Sequence, residues 1–474
     1  MIFVVKESRE PLYMQIYQQL KKEIVNGIRK EGDILAGSRG LAKTLSVSRN
    51  TVDSAYSQLL AEGYITPKRG VGYAVTSLPV LKITPQGPSC AYTGQIVSNR
   101  EIPRKKDIVY DLTNGSHTND LFPKTLWRKY TLECLDLLDR ENKLASHLDQ
   151  QGELYLRRNL LSYLARIRGV RCNENQMIIT CGIQQSLEYL CSLFSDKKVC
   201  VIMEEPGYHK AVAVFLNNGL DVWTVPTDEN GMVVSRLPVE SKNYVIYSTP
   251  SHQFPTGVTM PIKRRLELLQ WVKDHNAYIL EDDFDSELRY YARPIPSLQS
   301  IDDEDRVIYL GTFSKALSPA IRIGYMILPP HLLRLYLEKF RDYNSTVPVL
   351  NQYTIARLIE TGEYDRHIRR LNHVFRKRLE QFNDEFSDVK DKLKISGNGS
   401  GQYFLLEFSS MADQKKLINK ALDYGVRVYP TMQFWQEKAD CPPNTIFLGF
   451  SKIDLKDIPD CVRRLKTAWS EWLY

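Results

Sequence analysis

No apolar run in the sequence approaches the roughly 18 residues of a membrane span, so hydropathy offers no transmembrane helix. The opening MIFVVKESRE turns charged at Lys6, too early for a secretory signal, and a soluble cytoplasmic protein is expected. There are eight cysteines: Cys90, Cys134, Cys172, Cys181, Cys191, Cys200, Cys441 and Cys461. They form no C-x-x-C pair and no Cys/His cluster with zinc spacing, which argues against a zinc module. They read as reduced thiols, mostly in the core, and no metal site is expected.

What is present is length and an uneven charge. With 474 residues, 43% of them hydrophobic, the chain is long enough for two or three domains. The net charge is +7, and residues 1–107 carry all of it, with 16 Lys/Arg against 9 Asp/Glu; the other 367 residues balance at 47 against 47. A basic end on a neutral body suggests an appendage for a polyanion, although the excess is mild enough to arise without one.

Residues 1–77 read as a small helical domain with a hairpin. Tyr13, Ile16, Tyr17, Leu20 and Ile24 form the stripe of an amphipathic helix that Gly27 can end. SRGLAKTL is a second helix, with Ser38 as its expected cap. A third starts at Ser48 and places Val52, Ala55, Tyr56, Leu59 and Leu60 on one face. Its start carries Arg49, Asn50 and Thr51, where a recognition helix presents side chains to the major groove. YITPKRGVGYAVT reads as two short strands around a Lys-Arg-Gly tip, a wing. Periodicity alone is equally compatible with any small helical domain.

Residues 78–107 hold four prolines and two glycines without a sustained period, and read as a linker. From residue 108 onward strand-like and helical runs alternate, the mark of an α/β fold with a largely parallel sheet. NAYILEDDFDSE and DRVIYLGTFSK are apolar runs that end in polar residues, and such sheets hold ligands at the carboxyl ends of their strands. Asp282, Asp283 and Lys315 are therefore expected to converge. A lysine can link to the aldehyde of pyridoxal 5'-phosphate, and a carboxylate beside the pyridine nitrogen keeps that ring protonated. Singly, Lys315 is an ordinary loop lysine and ILEDD an ordinary acidic strand end. Upstream, however, TCGIQQSLEYL leaves a strand through Gly182 into a helix, aiming the amides of Ile183 and Gln184 at an anion. Thr312, Ser314 and Arg322 are candidates for further phosphate contacts.

LAGSRGLAKTLSVSRNTVDSAYSQLLAEGYITPKRGVGYAV resembles the winged helix-turn-helix of GntR-type regulators. DQQGELYLRRNLLSYLARIRGVRCNENQMIITCGIQQSLEYL, EEPGYHKA, TPSHQFPTGVTMP, ILEDDFDSELRY and LGTFSKALSPAIRIGYMILP resemble successive motifs of fold-type-I aminotransferases, as found in the MocR subfamily of those regulators. The resemblance implies a winged helix-turn-helix at 1–77, a linker at 78–107 and an aminotransferase-like domain at 108–474. It implies DNA contacts from Arg39, Ser48, Arg49, Asn50, Thr51, Lys68, Arg69 and Gly70. In the body it implies Lys315 as the Schiff-base lysine, Asp282 on the pyridine nitrogen, Tyr208 stacked on the ring, and Ser314 and Arg322 on the phosphate.

The chain also departs from the pattern. Ala36 stands where proline is common and Gly40 where glutamate is common, neither at a base-reading position. Phe284 occupies a place where relatives often have a tyrosine near the cofactor's phenolic oxygen. Lys210 stands where arginine is frequent and, with Arg427, is a candidate for the effector's carboxylate; lysine is a point charge without arginine's bidentate grip. His147 replaces an expected tyrosine, and His252 and Gln253 are placed near the same cofactor edge. The expected protein is a homodimeric, DNA-binding transcription regulator. Its body senses a small amino compound by external aldimine formation, and its operator is double-stranded DNA. The alternatives are an active aminotransferase carrying a DNA-binding module and a sensor of pyridoxal phosphate itself.

Overall fold

The computed structural model describes residues 2–6, 8, 10–78, 108–115, 120–146, 149–195, 198–240, 242–291, 295–397 and 399–474. The chain divides into two compact units, Met1–Glu101 and Ile102–Tyr474. The division falls within the stretch read as a linker, of which residues 79–107 lie outside the described residues.

In the first unit, helices α1 (Leu12–Val25), α2 (Ser38–Leu45) and α3 (Arg49–Ala61) precede a hairpin of β1 (Ile65–Lys68) and β2 (Gly72–Val75). The stripe of α1 is buried at Ile16, Tyr17, Leu20 and Ile24, and meets Val52, Ala55, Tyr56 and Leu59 of α3 in one core. Leu60, expected on that face, is exposed instead. Ser48 caps α3, accepting from the Thr51 amide at 3.1 Å. Ser38 does not cap α2: it is the first helical residue, the N-cap is Gly37, and no side chain caps that end. The hairpin pairs Ile65 with Val75 and Lys68 with Gly72, so Arg69, Gly70 and Val71 form its tip. Gly70 has φ +77° and Gly72 φ +123°, a backbone region that glycine enters without steric cost. The Tyr56 hydroxyl donates to the Ala36 carbonyl at 2.7 Å and its ring meets Tyr73 edge-on at 5.6 Å, tying α3 to the wing.

The second unit is built on an eight-stranded sheet. Ahead of it lie β3 (Tyr110–Asp111), α4 (Lys124–Arg140) and α5 (Leu154–Arg168). Then follow β4 (Met177–Thr180), α6 (Ile183–Phe194), β5 (Cys200–Glu205), α7 (His209–Asn217), β6 (Asp221–Asp228), β7 (Gly231–Met232), β8 (Tyr244–Ser248), α8 (Ile262–Asp274), β9 (Tyr278–Asp282), β10 (Val307–Thr312) and β11 (Gly324–Ile327). The sheet order is β4-β11-β10-β9-β8-β5-β6-β7. β10, β9, β8, β5 and β6 run parallel, and β11 is antiparallel to both its neighbours. Buried on both faces, the central strands read as continuous apolar runs such as CVIMEE and YVIYS, not as alternating ones.

After α9 (Pro330–Lys339) and α10 (Val349–Glu360), the 23-residue α11 (Glu363–Glu385) leads to a second, antiparallel sheet. That sheet runs β12 (Leu393–Ser396), β13 (Tyr403–Phe408), β16 (Thr445–Gly449), β15 (Tyr429–Pro430), with α12 (Gln414–Asp423), β14 (Val426–Arg427), α13 (Ile458–Ala468) and α14 (Ser470–Leu473) around it. Leu371, Phe375, Leu379 and Phe382 of α11, spaced by three or four residues, pack on Phe404, Leu406 and Phe408 of β13. Among the described residues no helix is long and apolar enough to cross a membrane, and no group of three His, Cys, Asp or Glu side chains could hold a metal ion.

Leu59 has no exposed surface in the core that α1 and α3 share. Leu59→Ala is therefore expected to destabilise the first unit by about 2–5 kcal/mol. Differential scanning calorimetry of the full chain checks this, as an earlier transition for that unit with the transition of the second unit unmoved.

Candidate cofactor and effector site

Strand alternation decides what the acidic end of β9 does. Successive side chains point to opposite faces, and Asp282 lines a cavity of about 440 Å³ at the carboxyl ends of the parallel strands. Asp283, expected beside it, does not converge there. Its carboxylate is buried against Arg168, at 2.8 Å from Nε and 3.0 Å from Nη2, and accepts from Ser286 at 2.7 Å. Burial pushes the Asp283 carboxyl up, but the guanidinium of Arg168 outweighs it and the group stays below its ordinary value. Glu281, also off the cavity wall, accepts from the Leu298 and Gln299 amides at 2.7 and 2.9 Å.

Asp282 is left with little compensation. Its Oδ2 accepts from the Tyr247 hydroxyl, while Oδ1 is buried with no hydrogen-bond partner. Burial raises its pKa to about 7, against the hydrogen bond from Tyr247, which lowers it. Lys315 lines the same cavity. Burial pushes its ammonium down, Asp285 and Asp282 oppose this, and Lys210 adds to it. The Lys315 carbonyl is held by Gln402 Nε2 at 3.0 Å, and the carbonyl of Ala316 by the His367 ring at 2.7 Å, which anchors the loop from two sides.

One end of the cavity is shaped for an anion. α6 begins at Ile183 directly after Gly182, whose φ of +109° turns the chain into the helix. The amides of a helix start carry partial positive charge. Ile183 and Gln184 line the cavity with Thr312, Ser314 and Arg322. Thr312 Oγ1 accepts from the Ser314 amide at 3.1 Å and donates to Ser314 Oγ at 3.0 Å, fixing both hydroxyls. Arg322 has φ +54°, a left-handed conformation that costs a non-glycine residue about 1 kcal/mol or more. A Cβ on Gly182 would lie 3.1 Å from Arg322 Nη2, a tight contact, and would have to sit on a backbone of φ +109° that side chains rarely adopt.

The remaining expected residues divide. Tyr208, Lys210 and Phe284 line the cavity, and burial raises the Tyr208 phenol to about 12. Gly182 shapes the anion end from behind. His252 and Arg427 are not on the wall. His252 is buried behind Phe284, its ring stacked on that side chain at 6.0 Å and its Nδ1 3.0 Å from the Asp285 carboxylate. Arg427 sits 3.6 Å from Asp111, on the short β14–β3 pair. His147 lies outside the described residues. In the first unit Arg39, Ser48, Arg49, Asn50, Lys68, Arg69 and Gly70 are exposed and Thr51 half-buried; Arg49 pairs with Asp53 at 3.3 Å along α3.

Matches to known families agree with both units. Residues 12–75 match the family of bacterial regulatory proteins named for gntR, and residues 112–438 match aminotransferase class I and II. The chain belongs to the MocR group of GntR-type regulators. It is 31% identical to a probable rhizopine catabolism regulatory protein, MocR, of Rhizobium meliloti, over 99% of this chain and 96% of that one. It is 36% identical to the HTH-type transcriptional regulator YdeL of Bacillus subtilis, over 97% of each. Among solved structures it resembles the kynurenine aminotransferase of Pyrococcus horikoshii, at 28% identity and TM-score 0.69, covering 78% of this chain and 92% of that one. The aminotransferase class I and II fold is a pyridoxal-phosphate-dependent one. The cavity of this MocR-type regulator suits that group: a buried carboxylate oxygen with no partner for the ring nitrogen, a buried lysine, and a helix start with hydroxyls and a guanidinium for the phosphate.

Sequence reading missed several wall and support residues of this regulator. Thr113, Asn114 and Gly115 line the cavity, and a Cβ on Gly115 would meet Lys315 Nζ at 3.0 Å. Phe254, Phe434 and Phe447 line it as well. Tyr247, which braces Asp282, lies inside an apolar run and carried no signal of its own.

The raised pKa of Asp282 has a stability consequence. Its folded value of about 7 lies above the unfolded value near 4. The folded state therefore binds the extra proton between these values, and stability falls as pH rises from about 4 through about 7. Thermal unfolding of the cofactor-free protein followed from pH 5 to 8 is expected to show a falling melting temperature, and Asp282→Asn is expected to flatten part of that slope.

Proposed function

We propose that the protein is a transcription regulator that binds pyridoxal phosphate in its aminotransferase-like unit and responds to a small amino compound. Membership of the group supports a DNA-binding regulator joined to an aminotransferase-like unit; amine sensing is the further step. The observation that carries it is the placement of Lys315 and Asp282 on one buried cavity, in a chain that also holds a winged helix-turn-helix.

When bound, the cofactor supplies an aldehyde carbon that links to an amine and a ring that draws electrons from it. Lys315 would hold that carbon, at the place where an effector amine would compete for it. Its depressed ammonium pKa favours the neutral nucleophile. Asp282 keeps a proton on the ring nitrogen through its unoccupied Oδ1. Ile183, Gln184, Thr312, Ser314 and Arg322 would hold the phosphate, and Tyr208 lies on the same wall to support the ring. Lys210, on the cavity wall, takes an acidic group of the effector. Arg427 would have to leave Asp111 before it could do so.

Arg39, Arg49, Asn50 and Thr51 with the wing residues Lys68, Arg69 and Gly70 contact an operator, Ser48 fixing the start of the recognition helix. A homodimer presents two such modules to two half-sites. Binding of an effector amine at this site would shift the second unit between conformations of different operator affinity, provided that the amine binds one of them better.

Two substitutions separate the parts. Lys315→Ala is expected to abolish the visible absorption of lysine-bound cofactor and the effector dependence of operator binding, while leaving basal operator affinity in place. Arg49→Ala is expected to weaken operator binding roughly 10- to 100-fold and leave the absorption unchanged. Fluorescence anisotropy on an operator fragment and absorption spectroscopy read the two. Continuous release of an oxo-acid in the presence of an amine would favour an active aminotransferase carrying a DNA-binding module.

A further inference from the structure

We infer that the effector is an amine whose amino-bearing carbon carries an apolar or aromatic substituent and no carboxylate. The inference rests on amine exchange at Lys315 and narrows it to a chemical class.

Lys315 has Thr113, Asn114 and Gly115 on one part of the cavity wall and a row of aromatic rings on another. Lys315 Nζ lies 5.7 Å from the centre of Phe284. Phe284 meets Phe254 edge-to-face at 6.0 Å, and Phe254 in turn meets Phe434 at 4.9 Å and Phe447 at 6.0 Å. All four rings line the cavity. They belong to one packed cluster with Tyr403, which stacks on Phe447 at 4.8 Å from behind. Close packing on that side keeps Phe447 from swinging away, because a gap of its size would forfeit the contacts that hold the cluster.

Such a wall discriminates by charge. The face of an aromatic ring is the negative part of its quadrupole, so it attracts an ammonium and accepts a hydrocarbon, and it repels a carboxylate. A carboxylate brought against these rings also loses water, and the rings themselves offer it no donor. The cations of the wall are committed to other places. Arg322 packs over Gly182 at the anion end, and Lys210 is exposed on the first turn of α7, at the rim. An acidic group on the effector therefore belongs against Lys210, away from the rings. The substituent on the amino-bearing carbon is then left to the ring wall that starts at Phe284 and runs through Phe254 to Phe434 and Phe447.

The test uses the full-length protein loaded with pyridoxal phosphate and follows its visible absorption during titration with matched pairs: phenethylamine against phenylalanine, and isoamylamine against leucine. Each amine without a carboxylate is expected to reach half-saturation at a concentration about ten-fold or more below that of its α-amino acid. Phe447→Arg, which sets a guanidinium on the same wall, is expected to narrow or reverse that order. Equal or tighter response of the unaltered protein to the α-amino acids overturns the aromatic-wall inference and leaves amine exchange standing. A spectrum moved by none of the four compounds overturns amine exchange and the inference with it. The comparison on the unaltered protein decides, so the result does not hang on the folding of the variant.

Discussion

Desolvation of two groups that face one cavity, the Lys315 amine and the Asp282 carboxyl, is the constraint on which the second unit turns. Water stabilises the charged form of both, and burial withdraws that stabilisation in opposite directions, pushing the lysine down and the acid up. The neutral amine is the form that bonds to an aldehyde, and a buried carboxylate with one oxygen open is the partner that a protonated ring nitrogen would stabilise. The surrounding fold maintains this imbalance. Tyr247 satisfies one oxygen of Asp282 and leaves the other open, while Arg168 holds the Asp283 carboxyl low and burial raises Glu281 against the pull of Arg168 and Arg265.

The two ends of the cavity follow different physics. The anion end is made of backbone: a glycine turn, a helix start and a left-handed arginine, each held by contacts that tolerate little change of shape. The other end is made of ring faces from β-strands and loops of both sheets, with Phe254 next to the first and Phe447 on the second. The first suits a phosphate by charge and geometry. The second offers apolar ring faces, which favour a hydrocarbon or an ammonium over a carboxylate.

Much of the architecture was legible because its signals are local. The stripe on α1, the Ser48 cap and the Lys-Arg-Gly tip of the wing each follow from residues within one or two turns of each other, and the motif sequence from TCGIQQS to GTFSKAL placed Lys315 and Asp282 together. Where expectation and structure part, the deciding contact is distant in sequence. Asp283 was grouped with Asp282 as its neighbour, but strand alternation carries it to Arg168, over a hundred residues away. Ser38 reads as a cap from its type, yet the chain turns one residue earlier, at Gly37.

The sequence by itself determined the kind of chemistry, a basic winged module joined to an aminotransferase-like unit with a lysine and an acid at strand ends, because residue type and short spacing are enough to mark those parts. Only the tertiary structure decided which side chains form the cavity. Arg427, a plausible grip for a carboxylate by type, is drawn to Asp111, while Phe447, an unremarkable core residue by type, stands on the wall. The physical reason is that a cavity wall is assembled from strands and loops that meet only when both sheets have packed, and that packing, unlike a helix stripe, leaves no period in the chain.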